Sequence, residues 1–280
     1  MSAMQSLLPF YSIAGFAVGL LVGLTGVGGG SLMTPILIVL FGMHPATAVG
    51  TDLLYAAATK TAGSLVHGYN RTVDWRVVRR LASGSVPMTV LTVWALSHVD
   101  LGGAAARDVI AGILTVALFA TALALLFRER IVGRYAARLG KLSPQRIAAL
   151  TVMVGAALGV LVSVSSVGAG AIGVTALILL YPQLPTARIV GSDIAHAVPL
   201  TLAAGIGHWW LGSINLDLLL PLLLGSVPGI VIGSYAAVRV PELALRLVLA
   251  GTLVVVATKL ALDMSAAPSA VATATTTRAH

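Results

Sequence analysis

Two aspartates stand in matching settings inside long apolar stretches. Asp52 closes the run Gly50-Thr51-Asp52, and Asp193 closes Gly191-Ser192-Asp193. Each lies some seven residues beyond a proline, Pro45 or Pro185, which is roughly 10 Å into a helix that starts there. An ionisable group at membrane depth is a functional candidate by default, able to carry a proton or pair with a cation. The competing reading is that each aspartate caps a helix beginning at that point, because Asp is a favoured N-cap.

Two small-residue breaks are the second source of chemistry. One is Gly26-Val27-Gly28-Gly29-Gly30, flanked by Thr25, Ser31 and Thr34; the other is Ser165-Ser166-Val167-Gly168-Ala169-Gly170, preceded by Ser163. A broken membrane helix presents free backbone N–H groups at a half-helix N-terminus, and these, with the helix dipole, attract anions. Hydroxyls beside the break can hydrogen-bond oxyanion oxygens without a full charge. The substrate-binding candidates are therefore Thr25, Gly28, Gly29, Gly30, Ser31 and Thr51 in one half, and Ser165, Ser166, Gly168, Gly170 and Ser192 in the other. Close helix packing through small residues is the alternative, and it suits Gly15, Gly19 and Gly23 better. A nucleotide P-loop is excluded, since no Gly-Lys-Ser/Thr follows.

Histidine titrates near neutrality, so His67, His208 and His196 join Asp52 and Asp193 as candidates for proton or ion coupling. His67 and His208 close corresponding segments, where a structural role competes. Lys60 lies well inside an apolar segment, and the expectation is that it snorkels to the rim. Trp75, Trp94, Trp209 and Trp210 fall near segment ends and read as interfacial anchors. No residues have metal-ligand spacing, no nucleophile–base pair is evident, and no cofactor is expected.

The elements that must hold these residues are membrane helices. Of 280 residues, 58% are apolar and 9% charged, against about 25% charged in soluble domains. Residues 1–51 and 147–187 carry no charge at all, and about 20 apolar residues suffice to span a bilayer. Apolar segments are read at about 8–41, 46–66, 81–97, 108–127, 147–180, 187–207, 218–238 and 243–261. There is no cysteine, which excludes disulfide and thiolate chemistry. The start lacks a basic region and a cleavage site, so no cleaved signal peptide is expected. Ten of the 17 Lys and Arg residues cluster in 71–80 and 128–146; this is the mark of cytoplasmic loops under the positive-inside rule, not of nucleic-acid binding.

The chain repeats itself. Glycines 15, 19, 28 and 30 recur at 155, 159, 168 and 170; His67 recurs as His208; Gly84-Ser85-Val86-Pro87 recurs unchanged as Gly225-Ser226-Val227-Pro228. The expected organisation is a first transmembrane repeat over 1–127, a basic cytoplasmic loop over 128–146, a second repeat over 147–264 and a disordered polar tail over 265–280. Internal repeats of this kind build many secondary transporters. The first segment of each repeat would be about 50 Å long as one helix, at 1.5 Å per residue, and is broken in the middle. If it crosses once, the halves are parallel and Arg188, Arg239 and Arg246 fall outside. If it folds as a hairpin, the halves are inverted and these arginines move to the cytoplasmic side, which positive-inside favours. The fold class is all-α: a polytopic integral membrane protein of two homologous, inverted halves, each opening with a long Gly-broken segment.

With the opening GLLVGLTGVGGGSLMTPILIVLFG, the following PATAVGTDLL, the histidine before VDW and the duplicated GSVP, the chain resembles the sulfite exporter TauE/SafE family of membrane permeases over about 10–262. The second half departs more, with Thr175 where the first has Pro35. The resemblance implies transport of sulfite, sulfonates such as sulfoacetate or sulfolactate, or related anions. The expected function is a secondary transporter, an exporter, of a small sulfur-containing anion bound between the repeats of a multi-pass protein in the inner (plasma) membrane. Its expected partners are that anion and the lipid bilayer. An anion channel or uniporter for another small oxyanion or carboxylate is the runner-up, and a membrane-embedded enzyme is disfavoured for want of a catalytic motif.

Overall fold

The computed structural model describes residues 2–25, 30–139, 142–237 and 241–277. Among them eleven helices follow one another: α1 Ser2–Thr25, α2 Gly30–Val39, α3 Pro45–Tyr69, α4 Trp75–Leu96, α5 Ala104–Leu126, α6 Arg128–Leu139, α7 Pro144–Ser165, α8 Ala171–Leu180, α9 Thr186–Trp210, α10 Leu216–Ala237 and α11 Glu242–Thr277. No strand occurs among the described residues. Five of these helices contain stretches long and apolar enough to cross a membrane, in α5, α7, α9, α10 and α11. Large apolar side chains such as Val90, Val116, Met153, Leu224 and Val255 stay exposed on the helix flanks. An exposed apolar belt of this extent suits a lipid environment.

Local chemistry sets the helix starts. Pro45 and Pro144 occupy the first turns of α3 and α7, where a missing N–H costs nothing. The Asp74 carboxylate accepts the N–H groups of Arg76 and Val77 and so caps α4, and Ser143 does the same for α7 through Arg146. The long apolar segments are not single helices. After α7 the chain turns through Ser166 at φ 57°, Gly168 at φ 116° and Gly170 at φ 125°. The left-handed region explains the two glycines. α8 then doubles back, because Gly168 faces Leu161 whereas Gly173 faces Leu158. With ten residues each, α2 and α8 reach about 15 Å, half of a bilayer core. For the second long segment the hairpin alternative is the one realised; the link between α1 and α2 lies outside the described residues.

Glycine permits the closest helix contacts. A Cβ at Gly15 or Gly19 of α1 would strike the carbonyl oxygens of Leu222 and Ser226 on α10, and one at Gly155 or Gly159 of α7 would strike those of Leu81 and Ser85 on α4. In both pairs the contacts advance together, so the helices run parallel. α3 and α9 run antiparallel, since Gly63 faces Ile194 while Gly205 faces Leu54. α5 pairs with α11. Gly191 at the start of α9 packs on the Thr72 carbonyl, and Arg246 Nη1 at the start of α11 lies 3.3 Å from Glu129 Oε1 on α6. Arg188 and Arg246 therefore lie at the end of the bundle that carries the two basic windows, while Arg239 falls outside the described residues. The turn at 211–213 lies at the other end, lining a cleft with 96–102 and His44. Trp75, Trp94, Trp209 and Trp210 are all exposed at helix ends. The basic stretch read as a loop contains the amphipathic helix α6, which packs against α8.

Candidate functional site

α3 and α9 cross at the centre of the bundle and bring the two aspartates inside it. Asp52 is fully buried and Asp193 is 2% exposed. Neither caps the helix that carries it, because α3 starts at Pro45 and α9 at Thr186. The capping alternative is thereby removed.

Their surroundings differ. Asp52 Oδ2 accepts the Thr34 hydroxyl at 2.5 Å and the Thr34 N–H at 3.2 Å, joining α3 to the early turns of α2. Ser166, at the second break, stands close enough to Asp52 for its hydroxyl to act on the carboxylate, although neither Ser166 Oγ nor Asp52 Oδ1 makes a well-formed hydrogen bond. Asp193 faces Gly173 of α8, where a Cβ would collide with Oδ1, and that oxygen also has no partner. Buried polar atoms are almost always paired, and an unpaired one at membrane depth costs several kcal/mol. These atoms are therefore the polar groups of the bundle centre whose hydrogen bonds the protein itself does not supply.

Lys60 does not reach the rim. It is 5% exposed, sits in the electrostatic field of both Asp193 and Asp52, and the expected snorkelling fails because α3 continues for nine more residues to Tyr69. His196 is buried one turn beyond Asp193 and shares a 2.8 Å hydrogen bond with the Ser85 hydroxyl, leaving Nδ1 unpartnered. Its counterpart Tyr55 donates to Ser226 Oγ at 2.6 Å. Ser85 and Ser226 are site neighbours missed in reading the residues, although the duplicated Gly-Ser-Val-Pro carried the signal. Ser85→Ala should leave the His196 ring without its partner and lower stability by about 0.6–1.7 kcal/mol, the scale of hydrogen bonds between membrane helices; a thermal unfolding series in detergent reads this.

Other predicted residues serve the frame. Thr51 Oγ1 accepts the Asn215 N–H at 3.0 Å, and Ser192 Oγ accepts the Asp74 N–H at 2.8 Å. Both hydroxyls thus go to the turns before α10 and α4. His67 Nδ1 pairs with Thr72 Oγ1, and His208 Nε2 with the Ser163 carbonyl, each at 2.8 Å. Ser165 Oγ donates to the Leu161 carbonyl at 2.7 Å and accepts the Val167 N–H at 3.2 Å. Gly168 and Gly170 form the turn. Gly28 and Gly29 lie outside the described residues, as do the side chains of Thr25 and Ser31; Gly30 opens α2. Two clefts, of about 470 and 570 Å³, open at the end away from the basic helices; the larger is lined by Arg107, Asp108 and Asp263.

A helical bundle with broken segments, buried carboxylates and a lipid-suited surface defines a polytopic membrane transporter. The family model for the sulfite exporter TauE/SafE matches residues 11–260, and the chain belongs to that family. It is 37% identical over 249 residues to the probable membrane transporter protein YjnA of Bacillus subtilis (strain 168), covering 89% of this chain and 97% of that one. A second relative from the same strain, the probable membrane transporter protein YdhB, is 24% identical over 82% of this chain and 91% of its own. The probable membrane transporter protein YunE matches at 39% over only 70 residues, about a quarter of each chain. No solved structure matches. The family and these relatives are membrane transporters, not enzymes.

Proposed function

We propose that this protein is a secondary transporter that exports a small sulfur-containing anion, sulfite or an organosulfonate, across the inner (plasma) membrane. The observation that carries the reading is the constellation at the bundle centre: Asp52 tied to Thr34, with the Ser166 hydroxyl at a helix break close beside it and without a well-formed hydrogen bond. Irregular backbone at membrane depth persists where it is enclosed by protein or lines a wet cavity, and a hydroxyl beside free N–H groups suits an oxyanion. The family description names sulfite, and a sulfonate offers the same face of three oxygens on sulfur.

The substrate would bind between two inverted repeats. Support comes from the opposite courses of α3 and α9 and from contacts that recur across the halves, Tyr55 to Ser226 and His196 to Ser85. Rocking of one repeat against the other would expose the site alternately. An inside-negative potential favours anion efflux by about 2.3 kcal/mol per charge per 100 mV. Counterflow in proteoliposomes tests the reading: vesicles loaded with unlabelled sulfite or sulfoacetate should accumulate the labelled anion saturably. Linear, non-saturating flux would make the protein a channel, and no flux with either anion would remove the substrate class.

A further inference from the structure

We propose that Lys60 is the cation that receives the transported anion, and that Asp193 takes up a proton as the anion arrives. The proposal rests on the anion-transporter reading above and assigns the charges that reading leaves open.

Lys60 is the only buried lysine or arginine among the described residues. A buried ammonium is retained at high cost unless a counter-charge compensates it. No described carboxylate lies within ion-pairing distance of it, yet Asp193 and Asp52 are both near enough to act on its charge. Because α3 and α9 run antiparallel, the two aspartates lie towards opposite ends of their contact, with Lys60 between them. An ammonium held between two carboxylates and bonded to neither is a positive pole that an incoming anion can occupy without first breaking a tight pair.

The charge balance then demands a proton. Two carboxylates and one ammonium already leave one excess negative charge, and an anion adds another. Asp52 is served as a carboxylate by the Thr34 N–H and hydroxyl. Asp193 has Gly173 against it instead, which supplies no hydroxyl and leaves Oδ1 unpartnered. Of the elements packed on α9, α3 brings Lys60, Asp52, Tyr55, which is held by Ser226, and, at its end, His67 and the exposed Tyr69. α4 brings Asp74, Arg76, Arg79 and Arg80 near its basic-end start, α7 brings Arg146 in its first turn, and α8 brings no titratable group. α9 itself adds Arg188 at its start, His196, which is held by Ser85, and His208 near its far end, which is held by the Ser163 carbonyl. Asp193 is therefore the acceptor: a hydronium ion entering with the anion gives its proton to the carboxylate, so one hydronium O–H bond breaks as the Asp193 O–H bond forms, and water is released. For a dianion such as sulfoacetate one net negative charge still moves, so the membrane potential continues to drive efflux.

The test is sulfoacetate counterflow for KM, and net sulfoacetate efflux down its own gradient with a pH-sensitive dye inside the vesicles for the proton, on wild type, Lys60→Gln, Lys60→Arg and Asp193→Asn. Lys60→Gln should raise KM at least about tenfold, the scale of one lost charged partner, and Lys60→Arg should restore most of it. Asp193→Asn should keep counterflow with a lower KM and move anion without the accompanying proton. An unchanged KM in Lys60→Gln, or proton movement persisting in Asp193→Asn, overturns this inference while leaving the transporter reading intact. Absence of counterflow by the wild type overturns both. If Lys60→Gln fails to fold, the KM of Lys60→Arg and the proton count of Asp193→Asn still decide.

Discussion

Asp52→Leu abolishes counterflow and destabilises the protein, whereas Asp52→Asn leaves it folded. Leucine keeps the branching at Cγ but is larger and accepts nothing, so the Thr34 hydroxyl and N–H lose their shared acceptor at membrane depth. Each buried donor left unsatisfied costs about 1–3 kcal/mol, and the link between α2 and α3 goes with them. Asparagine retains a carbonyl oxygen that can accept both bonds, and its amide can donate towards Ser166. Its effect should therefore appear in transport, not in folding. Thermal unfolding in detergent together with counterflow checks the pair. Counterflow surviving in Asp52→Leu would show that the carboxylate is not part of the transport path.

Gly84→Val prevents assembly of the bundle. A Cβ at Gly84 would collide with the Val152 carbonyl oxygen and stand 2.8 Å from the Ala156 nitrogen. Both obstacles are main chain, which cannot swing aside as a side chain does. Overpacking costs about 1–3 kcal/mol where side chains can adjust, and the rigid backbone of α7 places this substitution at or above the top of that range. α7 leads into the second break, so displacing it also displaces Ser166 from Asp52. Gly251→Val is the control, because no atom lies within 4 Å of its added Cβ. Size-exclusion chromatography should give a folded peak for Gly251→Val and little or none for Gly84→Val. Equal peaks would mean that α4 and α7 are less closely packed than this.

Much of the molecule was legible in its residues. Charge-free runs longer than a bilayer require membrane helices, and this depends only on local composition. The glycine-rich runs mark the breaks because a glycine's φ freedom is a local property, seen at Gly168 and Gly170. The offset between Asp52 and Asp193, and between the two Gly-Ser-Val-Pro copies, could be counted directly. What could not be read is who partners whom. Thr34 lies 18 residues from Asp52 and Ser226 lies 171 from Tyr55, and no periodicity links them. Nor could the residues tell that the Thr51 and Ser192 hydroxyls each accept a backbone N–H from a distant turn, at Asn215 and Asp74. Lys60 looked long enough to snorkel, but its depth in α3 and the cover of α9 decide its burial. The sequence by itself determined a broken, duplicated membrane bundle with charges at depth, because hydropathy and backbone freedom act residue by residue. Only the tertiary structure decided that one aspartate is hydrogen-bonded and the other is not, because that depends on whether α2 or α8 presents a threonine or a glycine across the interface.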